Sequence, residues 1–171
     1  LLEDTRQQLF IRYPGKVFAR LCDVRNQSAV EDLVTWVEQE SGRLDVLVNN
    51  AGLGHFGPID ELTGDDFREV LETNLLGAFY AIHAAAPIMK RQGEGWIFNI
   101  ASLAAKNPFA GGAAYNASKF GLLGLAGAAV VETKRLYSAP AEAILEVVYE
   151  LDEGVSSAMV VGHNPGMTML A

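Results

Sequence analysis

The sequence predicts an α/β protein: a parallel sheet with helices packed on it. Two short runs, 45–48 and 96–100, are apolar almost throughout, the pattern of strands covered by helices on both faces. Between them, residues 64–90 repeat apolar positions at helical spacing, with Phe67, Val70, Leu71, Leu75 and Phe79 on one side. Strands alternating with helices imply crossover connections and parallel pairing.

Taken in order, residues 1–12 form an amphipathic helix that stops at Pro14-Gly15, a turn signal. Residues 16–21 (KVFARL) are short, apolar and rich in strand formers, and are expected to be a strand running into Cys22-Asp23-Val24. Ala29, Val30, Leu33, Val34 and Val37 mark a helix closed by Gly42. The stretch 49–63 is a glycine-rich loop containing Pro58. Thr63 followed by Asp65-Asp66 is a helix start, with acids at the positive end of the helix dipole. An Ala/Leu/Gly-rich helix covers 112 to about 134. Beyond it a helix is expected at 139–149, a strand at 157–161 and a turn at 162–166. Trp36 and Trp96 are read as core or half-buried packing residues, and Met159, Met167 and Met169 as gap fillers.

At 171 residues and half hydrophobic, the chain has enough apolar material for a core, and its length suits one domain, two at most. Thirteen Lys+Arg against 21 Asp+Glu give a net charge of −8, with no basic stretch to neutralise phosphates, which argues against nucleic acid as partner. The single Cys22 rules out an internal disulfide and fits a reducing, cytoplasmic setting. No His/Asp/Glu cluster has metal-ligand spacing. No run approaches membrane-spanning length, and the first residues lack the basic and apolar regions of a signal peptide. Neither end carries a helix stop or start of its own, so a fragment is expected.

The chemistry gathers around Tyr115 and Lys119. At i and i+4 on a helix their side chains share a face. A phenol ordinarily ionises near ~10, so a proton relay at neutral pH needs help, and a cation within ~4–6 Å favours phenolate. Ser102 follows the strand at 96–100, where side chains emerge at the carboxyl edge that open α/β sheets use for ligands. Asn74 lies on the preceding helix, in reach of Lys119 through a water.

Asn49-Asn50-Ala51-Gly52 after an apolar strand, Asn74-Leu75-Leu76-Gly77, Asn99-Ile100-Ala101-Ser102 and Tyr115-Asn116-Ala117-Ser118-Lys119 occur in this order. Together with Asp23-Val24 and residues 43–48 (RLDVLV), they resemble the short-chain dehydrogenase/reductase family over residues 1–131. The resemblance implies a Rossmann-like domain using NAD or NADP and a small-molecule alcohol or carbonyl substrate, and it leaves a homo-oligomer open. It implies Tyr115 as general acid/base, with Lys119 assisting it and holding the nicotinamide ribose. Ser102 would hydrogen-bond the substrate oxygen and Asn74 would complete the relay. Asp23, Val24, Asn50, Ala51 and Gly52 would contact the adenine side of the cofactor.

Departures from the family pattern qualify this expectation. The strand, glycine-rich turn and helix that cradle the pyrophosphate in that family have no counterpart here, so activity is expected to be impaired and the choice between NAD and NADP is unreadable. Gly52-Leu53-Gly54-His55-Phe56-Gly57 satisfies G-x-G-x-x-G, but Pro58 follows and no helix opens, so it is no phosphate cradle. Without their usual neighbours, the strands at 16–21 and 45–48 must pair with each other, pair with another chain or keep open edges. Residues 132–171, with 135–142 (RLYSAPAE) and 160–166 (VVGHNPG), resemble the C-terminal half of small phosphohistidine phosphatases of the histidine-phosphatase superfamily. There His163 would contact phosphate beside a nucleophilic histidine whose Arg-His-Gly/Ala segment is absent from these residues. An inactive α/β fragment, or a chimera of the two families, is the alternative reading.

Overall fold

The computed structural model describes residues 2–13, 15, 17–126 and 158–161. Helix α1 covers Leu2–Arg12 and α2 covers Gln27–Ser41. Strand β1 (Val46–Asn49) follows, then α3 (Gly64–Leu71), a π-helical turn (Glu72–Leu76) and α4 (Gly77–Gln92). Strand β2 (Trp96–Asn99), a single 3₁₀ turn (Leu103–Ala105), α5 (Ala113–Leu125) and β3 (Ala158–Val161) complete the described elements.

The three strands form one parallel sheet in the order β2-β1-β3, so the expected α/β class holds. Asn49 is level with Asn99 on one side of β1 and with Val161 on the other. The carboxyl ends of all three strands therefore open at one edge.

The expected strand at 16–21 is not found: residues 17–23 belong to no ladder. A strand exists only through its partners, and both edges of β1 are taken, by β2 and by β3. Residues 17–23 run beside α2 instead. Phe18 meets Trp36 edge-on at 6.0 Å, Arg20 stacks over the same indole, and Cys22 packs against the core. Neither pairing expected for the orphaned edge of β1 occurs, because Ala158–Val161 fills it.

Local signals explain the helix ends. The side chain of Asn26 accepts from Ala29 N to start α2, and Gly42 ends it at φ +75°, a conformation that favours glycine. Thr63 and Asp66 form a reciprocal capping box at the start of α3, worth about 1 kcal/mol. The helical periodicity over 64–90 resolves into two helices joined by the π turn, with Pro87 inside the second.

The core lies where α2 and α4 meet the sheet: Val30 and Val34 pack with Leu44, Leu47, Ala81, Ala85, Ile88 and Met89. Every residue of β1 is buried, as its apolar run predicts. The small residues Ala81 and Ala85 let α4 approach closely. On the loop side, α3 and the π turn pack against α5, which joins the Asn74 segment to the helix carrying Tyr115 and Lys119. Among the described residues no helix is long and apolar enough to cross a membrane.

Candidate active site

Asn74 lies in the middle of the π turn and is 1% exposed. The wider turn carries its side chain into the loop after β1. There the amide oxygen accepts from Leu53 N (2.8 Å) and the amide nitrogen donates to Leu53 O (2.9 Å), much as a neighbouring strand would. The same nitrogen donates to Ser118 Oγ at 2.9 Å, and Ser118 donates to the carbonyl of Tyr115 at 2.8 Å. A π turn is a recurrent device for aiming one side chain at a functional site. Replacing Asn74 by alanine would leave the Leu53 backbone groups unpaired and Ser118 without its donor. At about 1–3 kcal/mol for a buried polar group left unsatisfied, the variant is expected to lose at least about 2 kcal/mol in chemical denaturation.

Lys119 is buried, and its ammonium nitrogen donates to Ile100 O at 2.8 Å, just beyond β2. Burial pushes its pKa down to about 8. This is the only side-chain hydrogen bond Lys119 makes among the described residues, which leaves N–H donors for another partner. The same nitrogen sits 5.6 Å from the centre of the Tyr115 ring. The backbone at Gly52 closes the group: a Cβ there would lie 3.3 Å from Asn74 Oδ1 and 3.7 Å from Lys119 Nζ. Glycine at 52 thus permits a close approach that a side chain would crowd.

Asn74, Lys119 and Gly52 therefore meet at the carboxyl edge of β1 and β2, with the Tyr115 ring beside Lys119. Ser102 differs. It follows β2 at that edge, but its hydroxyl accepts from Ala104 N and caps the 3₁₀ turn. The Tyr115 phenol makes no hydrogen bond among the described residues, to Ser102 or to any other group. Nor is a direct bond formed between Asn74 and Lys119; both meet at Gly52.

The remaining candidates lie around this centre. Asn50 and Ala51 continue from β1 into Gly52 and are half-buried. The Asp23 carboxylate is gripped by Arg25, whose guanidinium holds it below the usual carboxylate range, and Arg25 also reaches Glu69. Val24 packs on the backbone of Gly77, where a Cβ would come within 3.0 Å of it. His163 lies outside the described residues, as do the helix expected at 139–149 and the turn at 162–166. No group of three His, Cys, Asp or Glu able to hold a metal occurs among the described residues.

Five residues escape sequence reasoning. Ser118, fully buried, ties Asn74 to the Tyr115 backbone. Asn49 and Asn99, level in the sheet, join side chains at 2.8 Å, and Asn49 Oδ1 is buried with no partner. Phe56 and Phe109 pack on the Tyr115 ring at centroid distances of 5.6 and 6.3 Å. The Asn pair had a visible signal, since both residues end apolar strands.

A parallel sheet with paired amides at its carboxyl edge, and a buried lysine beside a tyrosine one helical turn away, defines an α/β ligand-binding class of protein. Residues 2–136 match the short chain dehydrogenase model, and the chain belongs to that family. It is 42% identical over 116 residues to a sepiapterin reductase of Chlorobaculum tepidum, covering 68% of this chain and 46% of that protein. Against a 3beta-hydroxysteroid dehydrogenase of Mediterraneibacter gnavus it is 38% identical over 119 residues, 69% of this chain and 43% of the other. Among solved structures, NAD+-bound xylitol dehydrogenase superposes with a TM-score of 0.68 at 35% identity, over 72% of this chain and 48% of that one. ElxO with NADP bound gives 0.68 at 30% identity, over 72% and 50%. The chain spans about half the length of the relatives it matches.

Proposed function

We propose that the chain is an NAD(P)(H)-dependent oxidoreductase that interconverts an alcohol and a carbonyl compound. The observation that carries this reading is the meeting of Asn74 and Lys119 at the Gly52 backbone, at the carboxyl edge of the sheet, with the Tyr115 ring 5.6 Å from Lys119 Nζ. The residues fit a nicotinamide cofactor: Lys119 is buried with donors to spare, and Gly52 keeps the space beside it free of a Cβ. Solved relatives named as binding NAD+ and as binding NADP support either dinucleotide.

When bound, the cofactor supplies the hydride. Lys119 would hold its ribose hydroxyls through Nζ, with Asp23, Val24, Asn50, Ala51 and Gly52 along its adenine side. Tyr115 Oη would donate its proton to the carbonyl oxygen on reduction and take it back on oxidation. Proton transfer by a positioned side chain contributes about 10²–10⁴-fold. The Lys119 ammonium favours negative charge near the phenol oxygen. Ser102 Oγ, which accepts from Ala104 N, keeps its own O–H to donate to the substrate oxygen and orient it. Asn74 acts by holding the Leu53 loop and the Tyr115 backbone in place.

Two measurements test this. NADH and NADPH oxidation by the full chain with a carbonyl panel is expected to show turnover; its absence with every cofactor and substrate would favour the alternative reading of an inactive α/β fragment. Fluorescence titration is expected to give weak dinucleotide binding, with a Kd above about 1 μM, because the described residues include no glycine-rich turn at a helix N-terminus to hold the pyrophosphate. Saturation in the sub-micromolar range would overturn the second expectation. For residues 132–171 the phosphatase resemblance remains a weaker proposal, resting on their motifs alone. Because His163 has no nucleophilic Arg-His-Gly/Ala segment beside it in these residues, no phosphohistidine hydrolysis is expected, and hydrolysis that disappears in His163→Ala would overturn that expectation.

A further inference from the structure

Phe56 and Phe109 come from loops far apart in sequence, yet their rings lie 5.9 Å from each other and both flank the Tyr115 ring. Neither ring is there to fill the core, since Phe56 is 63% and Phe109 47% exposed. Both are nevertheless given seats. A Cβ at Gly54 would come within 2.4 Å of the Phe56 ring, and a Cβ at Gly112 within 2.5 Å of the Phe109 ring. The two loops are also tied together, with Gly57 N donating to Gly111 O at 2.9 Å, and Gly111 takes φ +79°. Holding two exposed aromatic rings against a third leaves apolar surface in water that a ligand could cover. Phe56 also lines a cavity of about 200 Å³, together with His55, Gly57, Leu62 and the acidic residues Glu61 and Asp66. Those carboxylates disfavour an anionic guest.

We propose that Phe56 and Phe109 form an apolar wall beside Tyr115 that receives the carbon substituent of the substrate, so that the substrate class is uncharged carbonyls or alcohols bearing an aromatic or other flat apolar group. The inference rests on Tyr115 being the acid/base of the proposed oxidoreductase. Ring faces offered at this spacing suit offset or edge-on contact with a flat guest. A small aliphatic ketone gains little from them.

The test measures binding separately from turnover. Affinities of the full chain for 4-phenyl-2-butanone and for 2-butanone are measured by ligand-observed NMR without cofactor. The aryl ketone is expected to bind about tenfold more tightly, the scale of discrimination an apolar pocket provides. Phe56→Ala and Phe109→Ala should each remove most of that preference, Phe56→Leu should remove part of it, and Tyr115→Phe should keep it. Circular dichroism checks that each variant folds. In the wild-type chain, ring resonances of labelled Phe56 and Phe109 should shift on adding the aryl ketone, a readout that needs no alanine variant. Equal affinities for the two ketones, or unshifted Phe56 and Phe109 rings, would overturn the wall. Aryl-ketone binding with no turnover would leave the wall standing and remove the oxidoreductase reading. Turnover with no aryl preference would do the reverse.

Discussion

Tyr115→Phe is expected to remove nearly all carbonyl reduction while leaving the fold and the dinucleotide affinity unchanged. The ring supplies the contacts to Phe56 and Phe109, and phenylalanine keeps them. Only the hydroxyl is lost, and it makes no hydrogen bond within the described residues, so its removal leaves no buried group unpaired. The expected cost is that of a positioned proton donor, about 10²–10⁴-fold in kcat. Single-turnover kinetics with NADPH or NADH, beside a thermal melt of both proteins, separates chemistry from folding. Unchanged turnover in the variant would mean that the Tyr/Lys pair is scaffold in this chain and that its chemistry lies elsewhere.

What could be read from the sequence, and what could not, follows from whether the signal is local. The strand at 46–49 is legible because a run buried on both faces must be apolar. The run at 96–99 shows the same apolar pattern, yet β2 is at most half-buried, with Trp96 48% exposed at the edge of the described sheet. The capping box at Thr63-Asp66 is legible because its reciprocal bonds lie within four residues. Residues 17–21 carry the same local preference as a strand and are not one. Whether they pair depends on which segment reaches the edge of β1, and Ala158–Val161, more than a hundred residues further on, takes that place. No local pattern contains that competition.

The site divides in the same way. Tyr115 and Lys119 are one helical turn apart, so their juxtaposition is a consequence of helix geometry. The position of Asn74 depends on a π turn, which the 3.6-residue periodicity of 64–90 cannot distinguish from uninterrupted helix. Ser118 looks like any small helical residue until Asn74 arrives from 44 positions away. Phe56 and Phe109 become one surface only when the loops after β1 and β2 fold onto α5. Ser102 stands at the strand end, and its hydroxyl also accepts from Ala104 N to cap the 3₁₀ turn, a contact set by the turn that follows and not visible in the strand pattern.

Lys119→Met is expected to change the pH dependence of stability more than any other single replacement at this site. In the folded chain burial holds the Lys119 ammonium at about 8, against 10.5 when unfolded. Below pH 8 both states carry the proton, and the folded state bears the cost of a buried charge. Between 8 and 10.5 the unfolded chain holds one proton more than the folded chain, so unfolding becomes less favourable as pH rises. Above 10.5 the difference is constant. Each unit of separation is worth about 1.4 kcal/mol, so the wild type should gain about 3 kcal/mol on the methionine variant across that window. At pH 7 the variant, which packs an uncharged chain of similar length in the same place, should be the more stable of the two. The measurement is urea unfolding of both proteins from pH 7 to 11, read as the difference between them so that titration of the exposed lysines cancels. The same experiment bears on chemistry, because the charge assigned to Lys119 beside Tyr115 is present at neutral pH and lost as pH rises through 8. Carbonyl reduction that depends on that charge should fall over the range in which the wild type gains stability. A difference curve flat from pH 7 to 11 would show that the ammonium is solvated in the folded chain, and would remove the argument that its unused donors await a ligand.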